Sequence, residues 1–216
     1  VVGEAEIYSY REDDGNNSWR VVPTEDAGAG TGANYRGTGY IQSLDDNGSG
    51  GGPRSTPSIS YEMNISTTGT YRLYLRYEAN TTTSGTAGAS DSLFAGILEL
   101  SDGTGGTIAD HYQFNDSYDG DFATNPWDGN GGFEENQANA ANSPATWEIT
   151  TPGTYTLQFY QREDGSMIDA WVFQLDSLAA PTGDGPATSQ IVPEPGSLLL
   201  LLSGATGLFL RRRRSA

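Results

Sequence analysis

Residues Ser58 to Ile65 read SISYEMNI, and Tyr71 to Tyr77 read YRLYLRY. In the first stretch Ile59, Tyr61, Met63 and Ile65 take alternate positions, with Ser60, Glu62 and Asn64 between them. That period of two marks a strand with one buried face. In the second, Tyr71, Leu73, Leu75 and Tyr77 are expected to face inward and Arg72, Tyr74 and Arg76 outward. Thr67, Thr68, Gly69 and Thr70 supply turn chemistry between the two. A helix would repeat its apolar positions every three to four residues, and neither stretch does.

The same rhythm recurs on either side. Residues 1–10 (VVGEAEIYSY) read as a first strand, ended by the polar turn Glu12 to Asn17. Trp19 to Val22 and Tyr40 to Leu44 are short apolar segments. Ser92 to Leu100, Thr146 to Thr150, Thr154 to Gln161 and Ile168 to Leu175 restore the strand pattern. From Ser101 to Pro144 no period is sustained, so a long irregular insertion is expected, of a kind that often carries function. Eight or nine short strands without a helical period make the fold class all-β, a single jelly-roll β-sandwich over residues 1–178. Residues 179–191 are rich in Pro, Gly, Ala and Thr and read as a flexible linker.

The tail that follows, Val192 onward, has a different character. It holds Pro193, Glu194 and Pro195, an apolar run from Ser197 to Leu210, and then Arg211, Arg212, Arg213 and Arg214. The two prolines keep the chain extended ahead of the run. As a helix, the run would span roughly 21 Å at 1.5 Å per residue, short of the roughly 30 Å of a bilayer core. The arginines would hold the end on the cytoplasmic side. This order of motif, apolar helix and basic end resembles the PEP-CTERM sorting signal of bacterial exported proteins. The resemblance covers residues 192–216. It implies exosortase as a partner, transient anchoring of a transmembrane helix in the inner membrane, and delivery to the cell surface or extracellular matrix.

Without the tail the chain keeps 27 acidic against 7 basic residues, because the tail takes four of the 11 basic and one of the 28 acidic ones. The resulting formal charge of −20 repels phosphates, so nucleic acid is excluded as a partner. The chain has no cysteine, which leaves neither disulfides nor thiolate metal sites. It has one histidine, His111, so zinc chemistry is close to excluded. The sequence starts at Val1, which reads as lying at or near a processed start.

Glu4 and Glu6 flank Ala5 in the expected first strand, so their carboxylates would share a face about 6.6 Å apart. Two such groups repel unless a cation or water lies between them. Asp169, in the last strand, could add a third oxygen if first and last strands meet.

A second resemblance rests on Glu4-Ala5-Glu6, the run from Gly69 to Tyr77, Asp91 to Gly96, and Arg162 to Asp169, in that order. These are similar to galactose-binding-like jelly rolls, specifically carbohydrate-binding modules of families six and thirty-five, over most of residues 1–178. The resemblance implies a structural calcium held by Glu4, Glu6 and Asp169. It also places sugar recognition on loops at one end of the sandwich. Stacking on a sugar needs an exposed aromatic face and a few polar groups beside it. Trp127, with Asn130, Tyr40 and Phe133, is the candidate ligand-binding set. Solvated strand carboxylates, and a Trp127 that merely pins its loop, are the competing readings.

Other constellations are weaker. His111 with Asp110 and Asp116 lacks a partner nucleophile, and Glu134 beside Glu135 has no fixed separation in an irregular loop, so a glycosidase pair is not indicated. The expectation is an exported, non-catalytic sandwich that binds carbohydrate or associates with exopolysaccharide. The alternatives are a structural matrix protein without a sugar site and a polysaccharide hydrolase.

Overall fold

The computed structural model describes residues 1–14, 18–25, 32–44, 57–78, 92–100, 111–115, 121–124, 127–133, 143–163 and 165–189. Two antiparallel sheets face one another. The first contains β1 (Val2–Glu4), β3 (Ser18–Val22), β4 (Tyr40–Leu44), β6 (Gly69–Glu78), β11 (Thr146–Ile149) and β13 (Met167–Leu175). Its order is β11-β6-β13-β4-β3, with β1 also on β13. The second contains β2 (Tyr10–Glu12), β5 (Ser58–Ile65), β7 (Ser92–Ile97), β8 (Tyr112–Asn115), β9 (Asn130–Phe133), β10 (Ser143–Pro144) and β12 (Gly153–Gln161). Its order is β10-β9-β8-β7-β12-β5-β2. The jelly-roll β-sandwich expected from the alternation is present.

The alternating residues meet between the sheets. Ile59, Tyr61, Met63 and Ile65 of β5 and Tyr71, Leu73, Leu75 and Tyr77 of β6 are all buried there, with Leu157 and Phe159 of β12 and Trp171 and Phe173 of β13. Aromatic rings pack within and between the layers. Tyr61 meets Phe159 and Trp171 edge-on at centroid distances of 5.5 and 5.3 Å, and Tyr71 stacks on Phe173 at 5.1 Å. Such tilted and offset contacts suit the ring quadrupoles.

The fold departs from the sequence reading in four places. Residues 1–10 are not one strand: β1 ends at Glu4, the chain turns through Ala5 to Ile7, and β2 begins at Tyr10 in the other sheet. The turn is held by Ala5 N donating to Asp169 O and by Tyr61 Oη donating to Ala5 O. The supposed irregular insertion contributes β8, β9 and β10 to the second sheet. Their strands are too short for alternation to register in the sequence. Tyr74 and Arg76, on the outer face of β6, are 4 % and 1 % exposed, because loops cover that face of the sheet. Finally, residues 179–189 of the expected flexible linker lie against the sandwich through specific hydrogen bonds, described below.

Candidate functional site

Strand β13 decides the geometry. One of its edges is shared: β4 pairs with Met167 and Ile168, and β1 pairs with Ala170 to Val172. On its other edge, the register with β6 slips between Ile168 and Ala170, so Asp169 is the extra residue of a β-bulge. A bulge re-aims the side chain it carries. Asp169 is fully buried; its Oδ2 accepts from Arg76 Nη1 at 2.6 Å and its Oδ1 from the Arg36 backbone N–H at 2.7 Å. Burial pushes the Asp169 carboxyl up to about 6, against the pull of the Arg36 N–H and of Arg76, while the nearby Glu4 pushes the same way as burial. Arg76 is completed by Nε donating to Phe122 O at 2.9 Å and Nη2 to Asn34 O at 3.3 Å.

Glu4 closes β1 beside this pair. Its Oε1 accepts from Arg36 Nη2 at 2.8 Å and from the Thr188 hydroxyl. Glu6 sits in the turn after β1, where its Oε1 accepts from Thr38 N–H at 2.8 Å. Burial raises the Glu6 pKa, offset by the Thr38 N–H and reinforced by Glu4. The second oxygens, Glu4 Oε2 and Glu6 Oε2, are sealed from solvent and accept no hydrogen bond. A buried carboxylate oxygen without a donor is costly.

These observations test the calcium set that the sequence resemblance implied. The two bare glutamate oxygens fit a hard cation that takes oxygen ligands. Asp169 fits less well as a third side-chain ligand, because both of its oxygens already accept from Arg76 and Arg36. Among the described residues no group of three or more acidic or histidine side chains is gathered to hold a metal. The Glu4–Glu6 pair is therefore the fitting part of the set. Gly37, at φ 60°, lets the loop close over it: a Cβ there would meet Glu6 Oε1 at 2.3 Å.

Of the ligand-binding candidates, Trp127 and Tyr40 lie in separate clusters. Trp127 is 7 % exposed and packs with Tyr74, Ala170 and Val172 on the outer face of the first sheet. A two-way backbone pairing of Asp128 with Leu75 holds it there, and its indole N–H donates to Gly183 O at 3.0 Å. Tyr40 is 2 % exposed in a separate cluster with Val22, Phe122 and Met167. Both rings of this pair from the candidate set Trp127, Asn130, Tyr40 and Phe133 are enclosed, one by the outer sheet face and the other by Phe122. Asn130 and Phe133 belong to β9, but their side chains lie outside the described residues. His111 is buried with its ring edge-on to Phe94 at 5.2 Å, while Asp110, Asp116, Glu134 and Glu135 lie outside the described residues.

The residue that reasoning on the sequence passed over is Tyr35. It is 37 % exposed, and its ring leans on Tyr40 at 5.5 Å and 54°, while Tyr40 leans in turn on Phe122 at 5.4 Å. Beside it Asn34 Nδ2 donates to Asp121 Oδ2 at 2.9 Å. A surface tyrosine that leans on a buried ring loses less side-chain freedom when it is used. Its signal in the sequence was a lone aromatic beside an arginine, Tyr35 and Arg36, inside a glycine-rich loop.

Comparison with known proteins separates the tail from the sandwich. The model of the PEP-CTERM protein-sorting motif matches residues 192–214. The chain therefore carries the tail of an exported, exosortase-processed protein, with Pro193, Glu194, Pro195 and Arg211 to Arg214 inside the matched motif. This tail lies outside the described residues; among those described, no helix is long and apolar enough to cross a membrane. No curated protein matches the sequence. Similar solved structures include a Paenibacillus sp. cycloisomaltooligosaccharide glucanotransferase complexed with cycloisomaltoheptaose, at 13 % identity and a TM-score of 0.40 over 81 % of this chain and 18 % of that one. Another is a Podospora anserina GH26-CBM35 β-(1,4)-mannanase, at 15 % identity and a TM-score of 0.45 over 84 % of this chain and 28 % of that one. The chain spans less than a third of the length of either.

Proposed function

We propose that the sandwich is a non-catalytic carbohydrate-binding module that the sorting tail delivers to the cell surface or matrix, where it associates with exopolysaccharide. The observation that carries the reading is Tyr35. It offers an exposed ring on a loop, backed by Tyr40 and Phe122, with the Asn34 and Asp121 side chains beside it for hydrogen bonds to hydroxyls. An apolar ring face with polar neighbours is the chemistry that a sugar ring asks for. The acidic surface suits neutral polymers better than acidic ones.

Calcium has a structural place in this reading. Glu4 and Glu6 would hold it through their bare oxygens, and it would add positive charge to that which Arg36 already brings to Glu4. Arg36 and Arg76 meanwhile keep Glu4 and Asp169 oriented.

Electrophoresis through gels containing polysaccharide tests the reading. Retardation by at least one neutral polymer, lost in Tyr35→Ala, is the expected result; migration unaffected by every polymer tried would remove it. The enclosed positions of Trp127 and Tyr40 favour a second reading, a matrix protein whose sandwich is purely structural, and the same gels separate the two.

A further inference from the structure

The chain between the last strand and the sorting motif is gripped by the sandwich at several points. Arg36 reaches it with Nη1 on Asp184 O at 2.6 Å and Nη2 on Pro186 O at 3.1 Å. Trp127 Nε1 donates to Gly183 O at 3.0 Å. Thr188 donates to Glu4 Oε1. Ser189 N–H donates to Val2 O, and Val2 N–H donates to Ser189 Oγ, each at 2.9 Å. Gly183 and Gly185 have φ of 56° and 74°, and Gly185 N–H closes a turn onto Thr182 O at 3.0 Å. At Gly185 a Cβ would strike Trp127 Cζ2 at 2.4 Å, so the backbone sits directly on the indole.

We propose that residues 182–189 form a releasable clamp that sets how far the sandwich stands from the sorting motif, and so how freely the processing enzyme reaches it. The described contacts run to Ser189, and Pro193 follows four residues later. Fully extended, those residues span about 14 Å, so a clamped motif stays close against the sandwich. With residues 182–189 released, the free chain begins after Pro181, and the same motif can stand about 40 Å away. The membrane-embedded enzyme implied by the motif then meets either a short tether on a folded domain or a long one.

Release without unfolding follows from how the clamp is held. Its contacts are hydrogen bonds to backbone and side-chain oxygens, the Gly185 backbone on the Trp127 indole, and an ion pair of the exposed Asp184 Oδ1 with Arg76 Nη2 at 3.7 Å, and nearly all of residues 182–189 remain exposed. Segments that bury little apolar surface open at low cost, independently of the core. Arg36 links the clamp to the carboxylates, since the guanidinium that grips Asp184 and Pro186 also binds Glu4. The inference does not depend on sugar binding or on calcium.

Hydrogen exchange on the full chain in detergent tests it. In the wild type the Gly185 and Ser189 amides, which donate to Thr182 O and Val2 O, should be protected. In Gly185→Ala, and separately in Arg36→Gln, their exchange should accelerate about tenfold or more while β6 and β13 stay protected. In cells making the processing enzyme, pulse-chase should then show Gly185→Ala cleaved at a higher initial rate. Unprotected Gly185 and Ser189 amides in the wild type, loss of β6 and β13 protection together with the clamp, or equal cleavage rates would each overturn the proposal.

Discussion

Arg76 Nη1 lies 2.6 Å from Asp169 Oδ2 across the β6–β13 pair, with the two side chains 1 % and 0 % exposed. The ion pair exists because a one-residue bulge turns Asp169 toward the arginine that alternation had assigned to the outer, solvent-facing side of β6. Removing one member of such a pair leaves an uncompensated buried charge and costs about 3–5 kcal/mol. Arg76→Leu is therefore expected to lower the melting temperature by about 6–20 °C at 2–4 °C per kcal/mol. The double variant Arg76→Leu with Asp169→Asn should recover part of that loss, because it leaves neither charge alone. Thermal melts of the three variants measure the coupling; strictly additive losses would show that the two residues do not act as a pair.

The bare oxygens of Glu4 and Glu6 make a different prediction. If they share a calcium ion, chelator should lower the melting temperature of the wild type and leave Glu6→Ala unchanged. The effect should also depend on pH. Burial raises Glu6 above the ordinary glutamate value of 4.5, so in the metal-free fold it binds a proton more tightly than in the unfolded chain. That protonation stabilises the metal-free fold below pH 4.5, and the contribution is lost as pH rises through the raised value. Protons and calcium compete for the same oxygens, so the chelator effect should be full at neutral pH and shrink on acidification. A chelator effect that grows as pH falls would contradict the assignment.

Tyr35 and Trp127 should separate cleanly in mutagenesis. An aromatic anchor at the centre of a binding site is worth about 2 kcal/mol or more, so Tyr35→Ala should weaken polysaccharide binding some thirtyfold with little change in melting temperature. Affinity electrophoresis beside a thermal melt provides both readouts.

Trp127→Ala should do the reverse. Truncating a buried tryptophan costs about 3 kcal/mol or more, here by emptying the space between Tyr74, Ala170 and Val172. The melting temperature should fall by about 6–12 °C. Gly183 also loses its donor, so residues 182–189 should exchange faster. An unchanged melt with lost sugar binding would reinstate Trp127 as a ligand-stacking residue.

The amino-acid sequence by itself determined the sandwich and the address. Alternation at residues 58–65 and 71–77 is a local property of the chain, legible without knowing what packs on it, and it placed the inward faces of β5 and β6 correctly. The sorting tail is also read locally, from the order of prolines, apolar run and arginines. The carboxylates were only half legible: Glu4, Glu6 and Asp169 were singled out, but not that a bulge and two arginines would apportion their oxygens. A bulge is a disagreement in register between two strands far apart in sequence, and neither strand carries it alone. The tertiary structure likewise decided which aromatic is exposed. Trp127 and Tyr35 both sit in glycine-rich loops, and only the surfaces those loops meet distinguish an enclosed ring from an offered one. The clamp was hidden for the same reason, because a Pro-, Gly- and Thr-rich segment reads as a free linker until Arg36 and Trp127 are brought beneath it.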